Sequence, residues 1–350
     1  MDHAAKKSTP DITVVVCTYN GIDILPISLD ALAKQSIADR VQIVVVDDGS
    51  TEDPSAVVKR YDVEYLPLTA NVGVSAARNA GIALARAPIV AFTDQDVAVP
   101  TDWAEQLLAR WAGLAASVVA LGGEVTVART DSLTQRYLAE HTPLAPLELD
   151  AAESATFIQR LRAYLRSHSS GHDTIRPVFS LVGANMSFRR DALDAVGGFD
   201  NTIRFGGDEV KVCTLLRERY GDAAVLCDGS IKVAHYFEPQ LSDTLRRAYA
   251  YGSGNGLTFA RQGGIPSLRP TATLFTLVLA TVSFVNPLLA LLVAFAVPLL
   301  VWRKWLRDAV RLRSAERLAF PFIALSQELV NNIGFVSGWV ANIKGTRVVK

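Results

Sequence analysis

Two carboxylates stand one residue apart in Asp94-Gln95-Asp96, which directly follows the apolar run Ala87–Thr93. A run of this length and β-branched content predicts a strand buried on both faces, as in a parallel sheet. Two acids at the exit of such a strand repel each other unless a cation lies between or beside them. Carboxylate oxygens are ligands that Mg²⁺ and Mn²⁺ favour. The triplet therefore predicts a divalent-cation site, with a surface turn of two solvated acids as the alternative.

Two further predicted strands also end in polar residues. The strand predicted at 12–17 is followed by Thr18-Tyr19-Asn20, and the strand predicted at 41–46 is followed by Asp47-Asp48. Helical patterns alternate with these strands, at 24–37, 55–61 and 74–85. This alternation predicts an α/β fold with a doubly wound, mostly parallel sheet, in which ligands bind at the carboxyl ends of the strands. The three polar strand exits are therefore expected to form one site.

Composition excludes several other classes of protein. The formal net charge is zero, so bulk electrostatics gives no sign of a nucleic-acid partner. Cys17, Cys213 and Cys227 stand at unrelated spacings, which argues against structural zinc and against a disulfide framework. The first ten residues are polar and lack the apolar region of a signal peptide, so we expect the first domain to face the cytosol.

Several short segments occur in an order and at spacings that together resemble one known family. They are Val14–Gly21, Val45–Ser50, Asn71–Gly81, Asp94–Asp96, Gly183–Arg190, Val196–Asp200 and Gly206–Glu209. The set resembles the family-2 glycosyltransferases, whose GT-A fold is a Rossmann-like nucleotide-sugar-binding sheet, and the resemblance extends over about residues 11–240. It implies an inverting displacement at the anomeric carbon of a sugar nucleotide, with a nucleoside diphosphate leaving.

The resemblance also implies roles for individual residues. Asp96 would hold a Mn²⁺ or Mg²⁺ ion, and Asp94 would contact the ribose or a metal-bound water. His235 would complete the metal shell or contact the pyrophosphate, although a lone histidine is more often structural. The residues implied to contact the nucleotide or the donor sugar are Thr18, Tyr19, Asn20, Asp47, Asp48, Asn71, Arg78 and Asn185. For Arg78, a surface ion pair on a helix is the alternative.

The acceptor hydroxyl loses a proton as it attacks, which requires a general base. The family usually carries Glu-Asp at the start of a late helix, whereas this chain has the inverted order Asp208-Glu209 after Gly206-Gly207. An acid at a helix N-terminus is also a routine capping residue. We take Asp208 as the candidate base and Glu209 as the alternative.

The residues after the predicted catalytic domain (1–240) point to a membrane. An amphipathic connector is predicted at 241–270, and no charged residue occurs from 271 to 302. Those 32 residues would form a helix of about 48 Å, against about 30 Å of hydrocarbon. Asn286-Pro287 predicts a break, and hence a helical hairpin. A basic segment at 303–318 is then expected in the cytosol. A third apolar helix at 320–341 is expected at the interface, with a last membrane span as the alternative. The other alternative is that all of 271–341 forms a buried helical core.

The family resemblance implies a metal-dependent inverting glycosyltransferase, and the C-terminal patterns place it at the cytoplasmic membrane with its catalytic domain expected to face the cytosol. Its donor would be a nucleotide-diphosphate sugar, with a UDP-sugar as the first expectation. Its acceptor would be lipid-linked or a glycan, in the synthesis of cell-surface polysaccharide or glycolipid. A nucleotidyltransferase-like enzyme is an alternative, but it would be expected to show a Gly-rich basic loop after the first strand. A non-catalytic nucleotide-sugar-binding membrane protein is another alternative, and it predicts loss of the acids that are present here.

Overall fold

The computed structural model describes residues 9–141, 144–149, 159, 174–204, 206–262 and 267–343. The sequence predicts a loop or insertion at 129–176 with a helical piece at 155–166. Apart from Gln159, that helical piece lies outside the described residues, so it stays a prediction.

The described strands form one nine-stranded sheet in the order β3-β2-β1-β4-β8-β6-β9-β5, with β7 beside β9. Their bounds are β1 Ile12–Thr18, β2 Val41–Asp47, β3 Glu64–Pro67, β4 Ile89–Asp94, β5 Val97–Ala98, β6 Ala120–Val127, β7 Ile175–Pro177, β8 Met186–Arg189 and β9 Val225–His235. Helices cover both faces of this sheet, so the predicted α/β architecture is confirmed.

The helices follow the strands in chain order. They are α1 Leu25–Leu32, α2 Ser55–Val58, α3 Val74–Leu84, α4 Trp103–Ala112, α5 Leu133–Glu140, α6 Arg190–Val196, α7 Asp208–Tyr220, α8 Leu241–Gln262, α9 Pro270–Val285, α10 Pro287–Val301, α11 Arg303–Arg311 and α12 Phe320–Ile343.

Strands β3, β2, β1 and β4 are parallel to one another. Successive side chains of a strand point to opposite faces, so Val14 and Val16 pack in one hydrophobic cluster and Val15 in the other. In register, Thr18 lies opposite Asp47 and Cys17 lies opposite Asp94. The three polar strand exits therefore meet at one edge of the sheet, as predicted.

The expectation of a mostly parallel sheet is wrong, because the second half of the sheet is mixed. Strand β8 lies between β4 and β6 and runs antiparallel to both. Strand β9 is parallel to β6 but antiparallel to β5 and β7. Because β5 follows the Asp94-Gln95-Asp96 triplet and pairs with the end of β9, Val97 lies opposite His235. The antiparallel pairing therefore brings a distant histidine beside the acidic triplet.

Helices α8 and α12 cross in backbone contact. A Cβ added at Gly252 would lie 2.0 Å from the carbonyl oxygen of Asn331, and one at Gly334 would lie 2.2 Å from that of Tyr249. Only glycine permits so close an approach. The Asn331 amide also donates to the carbonyl of Ala248. The segments predicted as a connector and as an interfacial helix thus pack together, and α8 is held in a fixed position.

Among the described residues, we find no single helix that is both long enough and apolar enough to cross a membrane. Helices α10 and α11 reach that length and composition only as a pair, and the pair is bent by 74°.

Candidate active site

Asp94, Asp96 and His235 form a cluster at the exit edge of the sheet. One ligand atom from each lies within 4.8 Å of the others, and His235 Nε2 is 3.4 Å from Asp96 Oδ2. The imidazole is buried and stacks on the ring of Phe237, with centroids 4.1 Å apart. The predicted metal-binding residues are therefore brought together, although His235 is 139 residues from Asp96 in the chain.

The electrostatics of the cluster fit a divalent cation. Burial lowers the pKa of His235 to about 4, which keeps the imidazole neutral and able to act as a ligand. Its buried Nδ1 has no hydrogen-bond partner among the residues that the structure describes. Burial raises the pKa of Asp96 to about 6, and it also raises the pKa of Asp94 although the Arg78 charge acts in the opposite direction. A cation beside these groups would offset the cost of holding two partly buried carboxylates together.

Arg78 connects this cluster to the acidic pair at the start of α7. Its guanidinium forms an ion pair with Asp208, lies 3.4 Å from Glu209 Oε1 and lies 3.9 Å from Asp94 Oδ1. Burial disfavours the charge on Arg78, but the surrounding carboxylates raise its pKa above the usual value. Arg78 is buried over the ring of Phe199. The structure therefore places Arg78 buried among the acids rather than in an open fork or on a surface helix.

The two acids of the pair differ in their access to the cleft. The Asp208 side chain is 1% exposed, whereas that of Glu209 is 21% exposed. Burial and the neighbouring Asp208 carboxylate raise the pKa of Glu209 to about 8. A Cβ on Gly183 would lie 2.7 Å from Glu209 Oε1, so the glycine leaves space for this side chain. Glu209 is therefore the more accessible acid of this pair.

Asp47 and Asp48 hold the loops that form one wall of the cleft. Asp48 accepts hydrogen bonds from the Asn71 side chain and from the backbone N–H groups of Val72 and Gly73. Asp47 accepts from the backbone N–H of Ser50 and from the hydroxyl of Tyr65. Both acids are buried. The structure thus uses both carboxylates to shape the predicted nucleotide pocket.

The exit of β1 forms the adjoining part of this wall. The Thr18 hydroxyl donates to the Gln95 side chain, which fills the space beside Gly21. Asn20 has a positive φ of 50°, and its side-chain oxygen accepts from the backbone N–H of Thr51. The ring of Tyr19 is 37% exposed. Tyr19 therefore offers an aromatic surface to a ligand, while its two neighbours hold the turn.

Asn185 lies inside the core, away from the cleft. Its side-chain oxygen accepts from the indole N–H of Trp103, and its amide donates to the carbonyls of Glu124 and Ile231. The side chain is fully buried. These contacts tie together β6, β9 and α4, so Asn185 supports the site from below.

Sequence reasoning missed two side chains that α8 places over the site. Arg247 donates to Glu238 at 2.7 Å and lies over the ring of Phe237, and its charge lowers the pKa of Asp96 and of His235. Tyr251 lies against Gly206, since a Cβ there would be 3.1 Å from its ring. The sequence feature that could have identified them is their i, i+4 spacing, which places both residues on one face of the helix.

Comparison with known proteins identifies the family. The sequence profile described as "Glycosyl transferase family 2" matches residues 13–197. A pre-mycofactocin glycosyltransferase of Mycobacterium tuberculosis (strain ATCC 25618 / H37Rv) is 31% identical over 69% of this chain and 46% of its own length. The succinoglycan biosynthesis protein ExoO of Rhizobium meliloti (strain 1021) is 29% identical over 62% of this chain and 58% of its own length. The chain thus spans about half the length of these curated relatives.

Solved structures share the fold. The mannosyltransferase PcManGT from Pyrobaculum calidifontis, in complex with GDP-Man and Mn²⁺, has a TM-score of 0.55 at 20% identity. The match covers 95% of this chain and 88% of the mannosyltransferase chain. GalNAc-T7 with UDP, GalNAc and Mn²⁺ has a TM-score of 0.50 at 14% identity. The match covers 75% of this chain and 52% of GalNAc-T7. The mixed sheet is thus that of GT-A enzymes. The profile match, which extends over more than half of the chain, leads to one conclusion: the protein belongs to glycosyltransferase family 2.

Proposed function

We propose that this enzyme is a metal-dependent, inverting glycosyltransferase that uses a nucleotide-diphosphate sugar. The observation that carries the proposal is the connection, through Arg78, of the Asp94–Asp96–His235 cluster to the acids Asp208 and Glu209. One end of this connected site suits a cation with a diphosphate, and the other suits proton transfer. A displacement reaction needs both, because the leaving diphosphate must be stabilised and the attacking hydroxyl must lose its proton.

In the proposed reaction, the acceptor oxygen forms a bond to the anomeric carbon as the bond from that carbon to the diphosphate oxygen breaks. Attack on the face opposite to the leaving group inverts the configuration. The Glu209 carboxylate accepts the acceptor proton, since it is the exposed member of the pair and its pKa lies near neutrality. Asp94, Asp96 and His235 would hold the divalent cation, which when bound neutralises charge on the leaving diphosphate.

The nucleotide is proposed to lie along the wall formed by the exits of β1 and β2. The exposed ring of Tyr19 supplies a surface on which a base can stack. The loops shaped by Asp47 and Asp48 border the ribose side of the pocket. A UDP-sugar is the first donor to test, although a structural neighbour with GDP-Man makes a GDP-sugar the necessary comparison.

We further propose that the enzyme works at the cytosolic face of the cytoplasmic membrane, on a lipid-linked or glycan acceptor in the synthesis of cell-surface polysaccharide or glycolipid. The exposed apolar side chains of α9 and α10 support the membrane location. The succinoglycan biosynthesis relative supports a polysaccharide pathway.

The first experiment is a donor-hydrolysis screen with the purified chain in detergent. A panel of UDP-, GDP- and dTDP-sugars is incubated with Mn²⁺, with Mg²⁺ or with EDTA, and release of the nucleoside diphosphate is measured. We expect turnover of at least one donor with a divalent cation and almost none with EDTA, because the leaving diphosphate then lacks its counter-charge. Turnover that is equal with EDTA would contradict the metal dependence, and no turnover of any donor would contradict the proposed activity.

Arg247 is expected to stabilise the leaving diphosphate. It pairs with Glu238 in the structure, and its charge reaches Asp96 and His235. Arg247→Gln should lower kcat/KM for donor turnover on the order of 100-fold, because a charged donor aimed at the developing negative charge is lost.

The matched control for this variant is Arg246→Gln, since Arg246 is exposed and pairs within the same helix with Asp243. It should retain full turnover. Mn²⁺ affinity should be no weaker in Arg247→Gln, since a positive charge near the cation is removed. A loss of Mn²⁺ binding in this variant would instead assign Arg247 to the support of the metal ligands.

A further inference from the structure

The tip of the α9–α10 hairpin projects beyond the core of the enzyme, against which Leu279, one turn after the buried Phe275, still packs. From Thr276 to Leu289 no residue is buried. Phe284, at the tip, is 98% exposed, and Val285 and Leu288 are 80% and 76% exposed. No charged residue occurs anywhere in this segment. An exposed apolar projection of this size marks a surface that another apolar phase covers.

The base of the hairpin is fixed to the rest of the enzyme. Ala272 and Phe275 on α9 are buried, as are Pro298 on α10 and Trp302 after it. Phe295 also contacts the ring of Phe322 on α12, with centroids 6.0 Å apart. The hairpin is therefore anchored at one end and free at the other.

The length of the free part matches half a bilayer. Leu277–Asn286 comprises ten residues, which in a helix rise about 15 Å. The hydrocarbon core of a bilayer is about 30 Å thick, so one leaflet contributes about 15 Å. The hairpin thus reaches the bilayer midplane but does not reach the opposite head groups.

Three polar side chains of the free part form hydrogen bonds within the hairpin. The hydroxyls of Thr281 and Ser283 donate to carbonyls one turn earlier in α9. At the turn, the Asn286 side-chain oxygen accepts from the backbone N–H groups of Leu288 and Leu289. Hydrocarbon offers no replacement partners for such groups, so a segment that enters it must satisfy them internally.

Helix α11 follows the hairpin at an angle of 74° and carries a different pattern. Arg303, Arg307 and Arg311 form an exposed row at i, i+4 spacing. Leu306 and Val310 form an exposed apolar row beside it. A basic and apolar helix of this kind lies in the plane of an anionic membrane surface, with its cations at the head groups.

We infer that the α9–α10 hairpin enters a single leaflet of an anionic bilayer and returns, without crossing, while α11 lies on the head groups. This inference rests on the membrane location in the proposed function and specifies its geometry. Because α8 packs against α12 and places Arg247 at the active site, the cleft is then fixed at a set height above the lipid surface. Such an arrangement suits an acceptor carried on lipid.

The first test measures binding of the full chain to sedimented vesicles of phosphatidylcholine with or without phosphatidylglycerol. We expect stronger binding to the anionic vesicles. The double variant Phe284→Asp/Leu288→Asp should lower the partition coefficient on the order of 100-fold, since two large apolar side chains no longer enter hydrocarbon. The control is Ile175→Asp, because Ile175 is also apolar and is 41% exposed but lies on β7, apart from the hairpin. This control variant should bind vesicles as the parent does. Parent-like binding of the double variant would overturn the inference.

The second test measures depth, with Phe284→Cys and a membrane-impermeant maleimide either outside sealed vesicles or trapped within them. A single-leaflet hairpin predicts that the thiol introduced by Phe284→Cys is modified before vesicles are added, and by neither pool after binding. Modification by the trapped reagent would show a crossing hairpin instead. Protection before vesicles are added, together with a dimer in solution, would identify a second copy as the occupant. Arg311→Cys serves as the control and should react from outside throughout.

Donor hydrolysis is measured in parallel on the same variants. It should be unchanged in Phe284→Asp/Leu288→Asp, because the tip lies away from the site. Failure of the vesicle tests with hydrolysis intact would overturn the membrane geometry alone. Absence of hydrolysis from every chain would overturn the proposed activity and leave the vesicle results standing.

Discussion

Asp96→Ala is expected to lower metal-dependent turnover by about 10³-fold, since charge stabilisation by a bound cation contributes several kcal/mol. Asp96 lies 3.4 Å from His235 and shares the cluster with Asp94, so its loss removes one of three candidate ligands. Mn²⁺ affinity, followed by electron paramagnetic resonance of the free ion, should fall more than about 100-fold. The reason is that the loss of a direct ligand weakens metal binding more than the loss of a residue that only supports a ligand.

Asp102→Ala is the matched control for this variant, since Asp102 is exposed and its side chain caps no helix. It should retain Mn²⁺ binding and turnover. Unaltered metal-dependent turnover in Asp96→Ala would show that the cation is held elsewhere. A parallel His235→Ala variant measures whether the neutral imidazole is a third ligand, because it too should weaken Mn²⁺ binding.

Glu209→Gln should lower transfer to an acceptor by about 10²- to 10⁴-fold, the range typical of the loss of a general base. Its pKa of about 8 sets the pH dependence of the parent enzyme. Only the carboxylate accepts a proton, so kcat/KM for transfer should rise with pH up to about 8 and level off above it. The residual rate of Glu209→Gln should show no such rise. Donor and Mn²⁺ binding should change little, which separates this variant from Asp96→Ala.

Two comparisons decide between the acids. Glu218→Gln, at an exposed position of the same helix, should behave as the parent. Asp208→Asn leaves the buried Arg78 guanidinium without its nearest counter-charge, so it should mainly lower the melting temperature of the protein. If Asp208→Asn kept its stability and lost transfer while Glu209→Gln remained active, Asp208 would be the base.

Much of the N-terminal half could be predicted from sequence. Continuous runs of β-branched and other apolar residues, bounded by turn signals, located β1, β2 and β4, and the polar residues after each strand were correctly expected at one edge. These patterns are readable because they depend on contacts within a few residues. The roles of Asp48 and Asn185 could not be predicted in this way, because both side chains are buried and bind groups that lie far away in the chain.

The sequence by itself determined the family, the acids of the site and an apolar C-terminal region broken at Asn286. Only the tertiary structure decided which acid is accessible, that Arg78 lies buried among carboxylates, and that Arg247 joins the site. It also decided that the sheet is mixed. These features depend on pairings between residues far apart in the chain, such as Val97 with His235 or Gly252 with Asn331. Such pairings follow from how the elements pack together, and no local pattern of residues encodes that packing.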